Sequence, residues 1–169
     1  MNDEKTGLIF DINHISALPA SDDEITELLR HVYVDGGFTS SEVAEKIFAP
    51  AAVRNRGFLL TARVSGANEF AGMIIVVPPT SKAIARAKAN ECEIHLLGVK
   101  PEFRGQGLGR DLVAKAINHA ETNQWSKIIL WTQKSMLAAQ TLYASFHFQQ
   151  TNEMSKNGIE FLVYEKTLS

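Results

Sequence analysis

Apolar residues recur along this chain with two spacings, and together these spacings predict a mixed α/β fold. Short apolar runs rich in β-prone side chains predict seven strands, over residues 8–12, 57–64, 70–77, 91–99, 127–132, 148–154 and 159–168. Apolar residues three and four positions apart predict four helices, the first from 21–24 to 36–37, the second from about 39–41, the third over 108–123 and the fourth over 136–146. The order of elements predicts a largely antiparallel sheet with one strand–helix–strand crossover in its middle.

Three local patterns refine this outline. The second helix should turn Val43 and Ile47 inward. Residues 80–90 have few apolar positions and three positive charges, which predicts an exposed, mobile loop or one weak helical turn. Asn157-Gly158 favours a tight turn between the last two strands. Because no repeat or linker interrupts the pattern, we expect a single domain over residues 1–169.

Composition and charge narrow the class of protein. The 169 residues are 45% hydrophobic and 21% charged, as in an ordinary globular domain with a real core. A net charge of −2 gives no basic footprint for nucleic acid, and no apolar run reaches the length of a membrane span. The single cysteine, Cys92, fits a reducing compartment, and the polar N-terminus Met1–Lys5 does not resemble a secretory signal. We therefore expect a cytoplasmic protein.

The most informative stretch is Arg104-Gly105-Gln106-Gly107-Leu108-Gly109, which lies between the strand 91–99 and the helix 108–123. Glycines let a ligand approach the backbone closely, and the first N–H groups of a helix have no partner within it. The helix dipole adds partial positive charge at the same place, so the stretch suits an anion. The alternative is a turn that uses its glycines only for bending.

Two familiar phosphate loops do not fit this stretch. A Walker loop would need Gly-Lys-Ser or Gly-Lys-Thr, which is missing, and a dinucleotide fingerprint would need glycine or alanine where Arg110 stands. The pattern that does fit is Arg-x-x-Gly-x-Gly over residues 104–109. It resembles the acyl-CoA loop of the GCN5-related N-acetyltransferase (GNAT) superfamily. Ala139-x-x-Leu142-Tyr143 downstream strengthens the resemblance, which extends over nearly the whole chain.

The resemblance implies a GNAT fold, in which a central, mostly antiparallel sheet is flanked by helices and its fourth and fifth strands (91–99 and 127–132) splay apart. It also implies that the pantetheine arm of acetyl-CoA lies in that gap. Backbone groups of Leu97, Gly98 and Val99 would pair with the arm, and Gly98 suits the bulge that causes the splay. Backbone N–H groups of residues 104–109 would hold the pyrophosphate.

The same resemblance implies a catalytic pair. Tyr143 would stand near the thioester sulfur as general acid, and Glu93 occupies a position that holds a catalytic glutamate in some members. Many members use water instead, and His95 shares a strand face with Glu93, so the base could be Glu93, His95 or a water chain. The alternatives are a packed core tyrosine, a solvent-facing glutamate at the strand edge, and a histidine that is only hydrogen-bonded.

Two positions depart from the family pattern. Met136 stands where the family often has asparagine, so one cofactor contact is in doubt, although Gln133 or Ser135 could replace it. His147 stands where the family often has glycine, so that turn could differ. These departures support an alternative function, a non-catalytic acyl-CoA sensor. A third alternative is a nucleotide- or phosphate-binding protein unrelated to coenzyme A.

The resulting expectation is direct transfer of an acetyl group from acetyl-CoA to a primary amine in a ternary complex, without a metal. The sequence carries no recognisable code for the acceptor, which is open between small molecules and peptides. The mild negative charge leans toward cationic acceptors. Tyr33 and Phe38 either belong to the core or line the substrate mouth. A homodimer is also open, because dimers are common among proteins of this kind.

Overall fold

The computed structural model describes residues 7–169, so the predicted polar N-terminus at residues 1–5 lies outside the described part. Its seven strands are β1 Phe10–His14, β2 Phe58–Val64, β3 Phe70–Val77, β4 Glu91–Val99, β5 Lys127–Gln133, β6 Gln149–Lys156 and β7 Ile159–Thr167. Its helices are α1 Asp22–Leu29, α2 Ser41–Ile47, α3 Pro50–Arg54, α4 Leu108–Thr122 and α5 Leu137–Ser145. All seven predicted strands and all four predicted helices are present, and the short α3 is an addition.

The strands form one sheet in the order β1-β2-β3-β4-β5-β7-β6. Only β4 and β5 run parallel, and α4 is the crossover between them. The mostly antiparallel mixed sheet is therefore confirmed. Asn157 and Gly158 have φ values of 52° and 77°, which is the tight turn expected between β6 and β7.

Helices cover both faces of the sheet. One core packs α4 and Tyr143 of α5 against alternate strand residues such as Ile94 and Ile128. The other packs α1 and α3 against the opposite set, including Ile75 and Val77. We call these the α4 face and the α1 face. Because alternate residues of β4 point to opposite faces, Cys92 and Ile94 lie on the α4 face and Glu93 lies on the α1 face.

The start of the second helix agrees with prediction, but its orientation does not. Ser40 caps α2 by accepting a hydrogen bond from the N–H of Val43. Val43 and Ile47 are 44% and 45% exposed, whereas Ala44 and Phe48 are buried. The prediction of Val43 and Ile47 as inward residues was therefore wrong, because the helix is rotated by about one position relative to its expected face.

The first helix continues beyond α1 through a π-helical turn, Arg30–Val34, before it reaches Gly36 and Gly37. This turn brings Tyr33 toward β4. Among residues 7–169, no helix is both long enough and apolar enough to cross a membrane.

Candidate active site

The glycine stretch forms a turn whose backbone conformation requires glycine at two positions. Gly105 and Gly107 have φ values of 74° and 84°, and Gly107 is the N-cap of α4. A Cβ added to either residue would meet nothing within 4 Å, so both positions face open space. The first N–H groups of α4 therefore point toward a region that a phosphate group can enter.

The side chains of two arginines at this turn make contacts within the protein. The Arg104 guanidinium donates to the carbonyl of Val99 over 3.3 Å. Arg110 donates to the hydroxyl of Ser145 over 2.9 Å and lies 4.8 Å from the centre of the Phe146 ring. Arg110 thus joins α4 to α5.

Next to this turn, β4 and β5 separate. Their parallel pairing is limited to Glu91, Cys92 and Glu93, which face Lys127, Ile128 and Ile129. Beyond Glu93, the edge of β4 that faces β5 has no strand partner among the described residues. The expected splay is present, and it leaves backbone groups of Leu97, Gly98 and Val99 beside the gap.

The bulge that accompanies the splay lies in a different residue from the one expected. Met73 pairs with Gly98 and Ile75 pairs with His95, so Leu96 and Leu97 together face a single residue of β3. The left-handed conformation belongs to Leu96, with a φ of 52°, and not to Gly98. A Cβ on Gly98 would make ordinary contacts with Val32 at 3.4 Å and with Leu28 at 3.6 Å, so neither the backbone nor the packing requires glycine at this position.

Tyr143 belongs to the core of the α4 face, and its hydroxyl interacts with that of Tyr33, which bonds the Leu97 carbonyl beside the gap. Tyr143 is 6% exposed, and its ring packs edge-on against Phe148 at 5.8 Å. Burial raises the pKa of its hydroxyl well above the usual value, and the nearby Tyr33 hydroxyl contributes in the same direction. Tyr143 therefore stays protonated at neutral pH and is able to donate a proton.

Glu93 and His95 form a buried pair on the opposite, α1 face. The imidazole Nε2 of His95 lies 2.7 Å from Oε2 of Glu93, and the two side chains are 10% and 0% exposed. Among the described residues, His95 also lies edge-on to Trp131 of β5, with ring centres 5.1 Å apart. Both residues thus lie near the place where β4 leaves β5.

The Glu93 carboxylate also holds the segment of residues 80–90, which we call the strap. Its Oε1 accepts backbone N–H groups of Ala85, Arg86 and Ala87 over 3.0, 2.6 and 2.8 Å. Ala83 and Ile84 pack against the core of the α1 face. The strap lacks regular secondary structure and most of its residues are exposed, as predicted. Its middle is nevertheless fixed to the sheet by the hydrogen bonds to Glu93.

These contacts set the charge of the pair. Burial by itself would raise the pKa of Glu93, but the hydrogen bonds from His95 and from the strap outweigh burial and lower it. An ionised carboxylate only accepts hydrogen bonds, so Nε2 of His95 carries the proton of the shared bond. In the neutral imidazole this leaves Nδ1 as a free acceptor.

Tyr33 reaches the gap from the α1 side. Its hydroxyl donates to the carbonyl of Leu97 over 3.2 Å, and its ring packs 5.2 Å from Phe48. Burial raises the pKa of Tyr33 to about 12. The carbonyl of Phe38 accepts the side-chain amide of Gln133 over 2.7 Å. The π-helical turn and the loop after it thus connect β4 to β5 across the open end of the gap.

Met136 and His147, the two residues that depart from the family pattern, differ in what the structure shows for them. The Met136 sulfur accepts the hydroxyl of Thr132 at 3.3 Å, and Gln133 is engaged with Phe38. His147 has a φ of 65°, so it adopts the left-handed conformation that glycine would supply. The turn after α5 therefore keeps a glycine-like backbone despite the histidine.

Other candidate sites are weaker. A depression of about 350 Å³ on the outer side of the first helix is lined by Glu27, Arg30 and His31, among others, and contains none of the predicted site residues. Over residues 7–169, no group of three or more His, Cys, Asp or Glu side chains is arranged to hold a metal ion. Burial raises the pKa of Cys92 to about 12, which keeps its thiol protonated.

Comparison with known proteins identifies the family. A model of the Acetyltransferase (GNAT) family matches residues 23–148, which include the splayed strands, the glycine turn and Tyr143. This chain belongs to the GNAT acetyltransferase family. The resemblance predicted from residues 104–109 and Tyr143 is therefore confirmed, and the chain is placed among the acyltransferases.

Relatives of this GNAT protein differ in how much of their length they share with it. N-acetyltransferase family 8 member 3 of Rattus norvegicus is 33% identical over 85 residues, which are 50% of this chain and 36% of that protein. An uncharacterized N-acetyltransferase of Archaeoglobus fulgidus is 29% identical over 133 residues, which are 75% and 87% of the two chains. An uncharacterized N-acetyltransferase of Schizosaccharomyces pombe is 40% identical over 73 residues, 43% and 45% of the two. The chain thus spans less than half of the rat and yeast proteins.

Solved structures show the same fold at low sequence identity. A GNAT-family acetyltransferase of Staphylococcus aureus aligns over 95% of this chain and 100% of its own, with a TM-score of 0.72 and 14% identity. The PaiA N-acetyltransferase of Thermoplasma acidophilum, crystallised with coenzyme A, aligns over 95% and 99%, with a TM-score of 0.70 and 16% identity. The predicted fold class is therefore confirmed.

Sequence reasoning missed the link between the strap and Glu93. The strap itself carries no motif, since its three N–H donors come from Ala85, Arg86 and Ala87 through the backbone. One feature pointed to it: Glu93 lies between the apolar residues Cys92 and Ile94, and a carboxylate in an apolar strand needs several hydrogen-bond donors. The sequence does not say which segment supplies them.

Proposed function

We propose that this GNAT protein transfers an acetyl group from acetyl-CoA directly to a primary amine in a ternary complex. The observation that carries the proposal is the arrangement around the β4–β5 gap. A protonated tyrosine, Tyr143, lies in the core of the α4 face, and its hydroxyl interacts with that of Tyr33, which bonds the Leu97 carbonyl beside the gap. The pair Glu93 and His95 lies on the α1 face. An acid and a base on opposite sides of one opening suit a reaction between two substrates.

The cofactor half of the proposal rests on the backbone. The open space above Gly105 and Gly107, together with the first N–H groups of α4, fits a diphosphate. The unpaired edge of β4 fits an extended arm that adds itself as a strand partner at Leu97, Gly98 and Val99. We further propose that Arg104, Gln106, Leu108 and Gly109 contribute through the same turn.

We assign the function of the general base to two residues with different roles. Glu93 has no exposed surface and its oxygens are occupied, so it acts through its neighbour as a positioning residue. His95 is the member with exposed surface, and within residues 7–169 only its Nε2 has a hydrogen-bond partner, so Nδ1 is left to accept. The base predicted at Glu93 thus becomes a pair, in which His95 takes the proton from the amine.

The proposed reaction transfers protons on both faces of the sheet. The amine reacts in its neutral form, after its ammonium has lost one proton to solvent. The amine nitrogen attacks the thioester carbon, the carbon–sulfur bond breaks, and His95 receives the second proton, which the nitrogen loses as it becomes an amide. Tyr143 gives one proton to the departing sulfur, so the pair gains the proton that the tyrosine loses. Exchange with solvent restores both side chains. The raised pKa keeps the Tyr143 hydroxyl protonated at neutral pH, so it is ready to donate a hydrogen bond to the developing thiolate. Because that thiolate has an ordinary pKa of about 8.5, full proton transfer from the tyrosine is unfavourable, and uptake of a solvent proton by the tyrosinate completes the step.

The test is an acceptor screen. Purified protein is mixed with acetyl-CoA and a panel of amines, and release of the coenzyme A thiol is followed together with acetyl-CoA affinity by calorimetry. The proposal expects binding and turnover with at least one amine. Binding without turnover on any amine would instead support the acyl-CoA sensor, which Met136 favours because it replaces a common cofactor ligand. Stabilisation by ATP or NAD but not by acetyl-CoA would overturn the cofactor assignment.

A further inference from the structure

The strap forms a wall on the acceptor side of the gap. Glu93 fixes its middle three residues through their backbone N–H groups, with Arg86 at 2.6 Å. From this fixed point the Arg86 guanidinium extends to the sulfur of Met154 in β6, 3.5 Å away and 68 residues further along the chain. The Arg86 side chain therefore spans from the buried pair toward the far edge of the sheet.

The strand register places the groups beneath the strap on the same face. His95 pairs with Ile75, which belongs to the core of the α1 face. Trp131 pairs with Val163 in β7, between neighbours that pack on the α4 face, so Trp131 lies on the α1 face with His95. Met154 pairs with Phe161, two residues from Val163, and shares that face. The floor between Arg86 and His95 is therefore aromatic and thioether surface.

The strap carries an excess of positive charge. The strap contains Lys82, Arg86 and Lys88 and no acidic residue. Arg86 is exposed, and within residues 7–169 its guanidinium makes no ion pair. In contrast, Lys134 beyond Met154 is paired with Glu160 at 3.7 Å. A shallow cleft of about 190 Å³ opens beside it, and its lining includes Met154 and Phe161 together with the carboxylates of Glu153 and Glu160.

We propose that Arg86 binds a carboxylate on the acceptor, so that the substrate is a molecule carrying both a primary amine and a carboxylate. The amine lies at His95, and the carboxylate extends along the strap to the guanidinium, which can bind it with two parallel hydrogen bonds. This reverses the lean toward cationic acceptors drawn from net charge. The inference rests on the proposed acetyl transfer, because it assigns specificity to the same site.

The test compares matched acceptors and matched variants. The acceptors are glycine, β-alanine, γ-aminobutyrate and 5-aminovalerate, each paired with the alkylamine of equal chain length that lacks the carboxylate. The enzymes are the native chain, Arg86→Met, Arg86→Lys and Lys88→Met, the last removing a neighbouring charge of the same strap. Initial rates of thiol release give kcat and KM for each combination, and melting temperatures confirm that each variant is folded.

We expect the native protein to prefer the carboxylated member of at least one pair, with the best chain length reporting the span from His95 to Arg86. Arg86→Met should lower kcat/KM for that acceptor on the order of tenfold to a hundredfold, mainly through KM, and should change kcat/KM for the plain amine much less. Arg86→Lys should retain part of the preference, and Lys88→Met all of it.

Two results would overturn the assignment of Arg86. One is equal use of both members of every pair by the native protein. The other is an equal loss in Arg86→Met and Lys88→Met, which would show a general charge effect. Either result leaves acetyl transfer standing, since an amine is still consumed. If no amine is acetylated at all, the proposed function itself fails.

Discussion

The two sides of the β4–β5 gap are built by different means. On the proposed cofactor side, Gly105 and Gly107 of the turn 104–109 face open space, and the shape of the turn follows from their positive φ values. On the acceptor side, the carboxylate of Glu93 gathers N–H groups from six to eight positions earlier in the chain and a histidine two positions later. One side depends on local conformation and the other on a buried charge.

This difference predicts how each side tolerates change. A backbone site resists substitution of most side chains but fails when a side chain fills its space. A site organised by a buried charge fails when the charge is lost, because several hydrogen bonds lose their acceptor together. Variants of the two sides should therefore separate into losses of cofactor binding and losses of stability or chemistry.

The largest effect is expected for Gly107→Val. A valine would have to adopt a φ near 84° and would place its side chain where phosphate oxygens enter. Loss of two or more hydrogen bonds to a charged group corresponds to a fall in acetyl-CoA affinity on the order of 10²- to 10⁴-fold, measured by calorimetry. Gly66→Val is the matched control, because Gly66 has a φ of 81° and open space in the β2–β3 turn. Normal binding by Gly107→Val would count against the loop assignment.

His95→Gln tests the acceptor side directly. The glutamine amide can still donate to Glu93, but it has no group able to take a proton at neutral pH. We expect kcat to fall on the order of 10²- to 10⁴-fold while acetyl-CoA affinity stays within about twofold, from steady-state rates and calorimetry. If the variant retains full activity, His95 does not act as the base and a water chain remains.

Tyr143→Phe tests the acid on the opposite face. The change removes one oxygen and keeps the ring packed against Phe148. We expect kcat to fall on the order of 10²-fold with little change in acetyl-CoA affinity. Tyr164→Phe is a suitable control, since that buried tyrosine lies 6.4 Å away in the same core and outside the proposed chemistry. Equal activity of native and Tyr143→Phe protein would remove the tyrosine from the mechanism.

Glu93→Gln should have the smallest effect in free energy and the clearest effect on stability. Glutamine is neutral, and it has an NH2 group in place of one of the two oxygens that accept hydrogen bonds from the strap and His95. We therefore expect the free energy of unfolding to fall by about 1–3 kcal/mol. For a chain of this size that lowers the melting temperature by about 2–12 °C. Amide exchange at residues 85–87 should also accelerate. Glu91→Gln, two positions earlier on the same strand, should change that exchange much less.

The same variant gives a pH dependence with a defined sign. Because the pKa of Glu93 is lower in the folded protein than in the unfolded chain, its contribution is present above the unfolded value of about 4.3. It is lost as the pH falls through the lower folded value. Urea midpoints measured from pH 7 to pH 3 should therefore converge for native and Glu93→Gln protein in acid. A constant difference would show that ionisation of Glu93 is not involved.

Sequence reasoning succeeded where the cause of a structure is local. The bounds of the strands, the turn at Asn157 and Gly158, and the glycine turn before α4 all follow from short-range patterns. The wrong predictions concern features that depend on packing against other segments of the chain. Val43 and Ile47 were expected inside, but apolar side chains do not report which side of a short helix meets the sheet. The bulge was expected at Gly98, but packing placed its strained residue at Leu96.

The sequence by itself determined that this chain has seven strands, a glycine turn at a helix start and a tyrosine downstream, because each depends on residues close together in the chain. Only the tertiary structure decided that Glu93 is buried, that it holds His95 and the strap, and that Arg86 extends from this pair toward β6. The physical reason is that a buried carboxylate takes its hydrogen-bond donors from whichever segments the fold brings to it, and backbone N–H donors are common to nearly every residue.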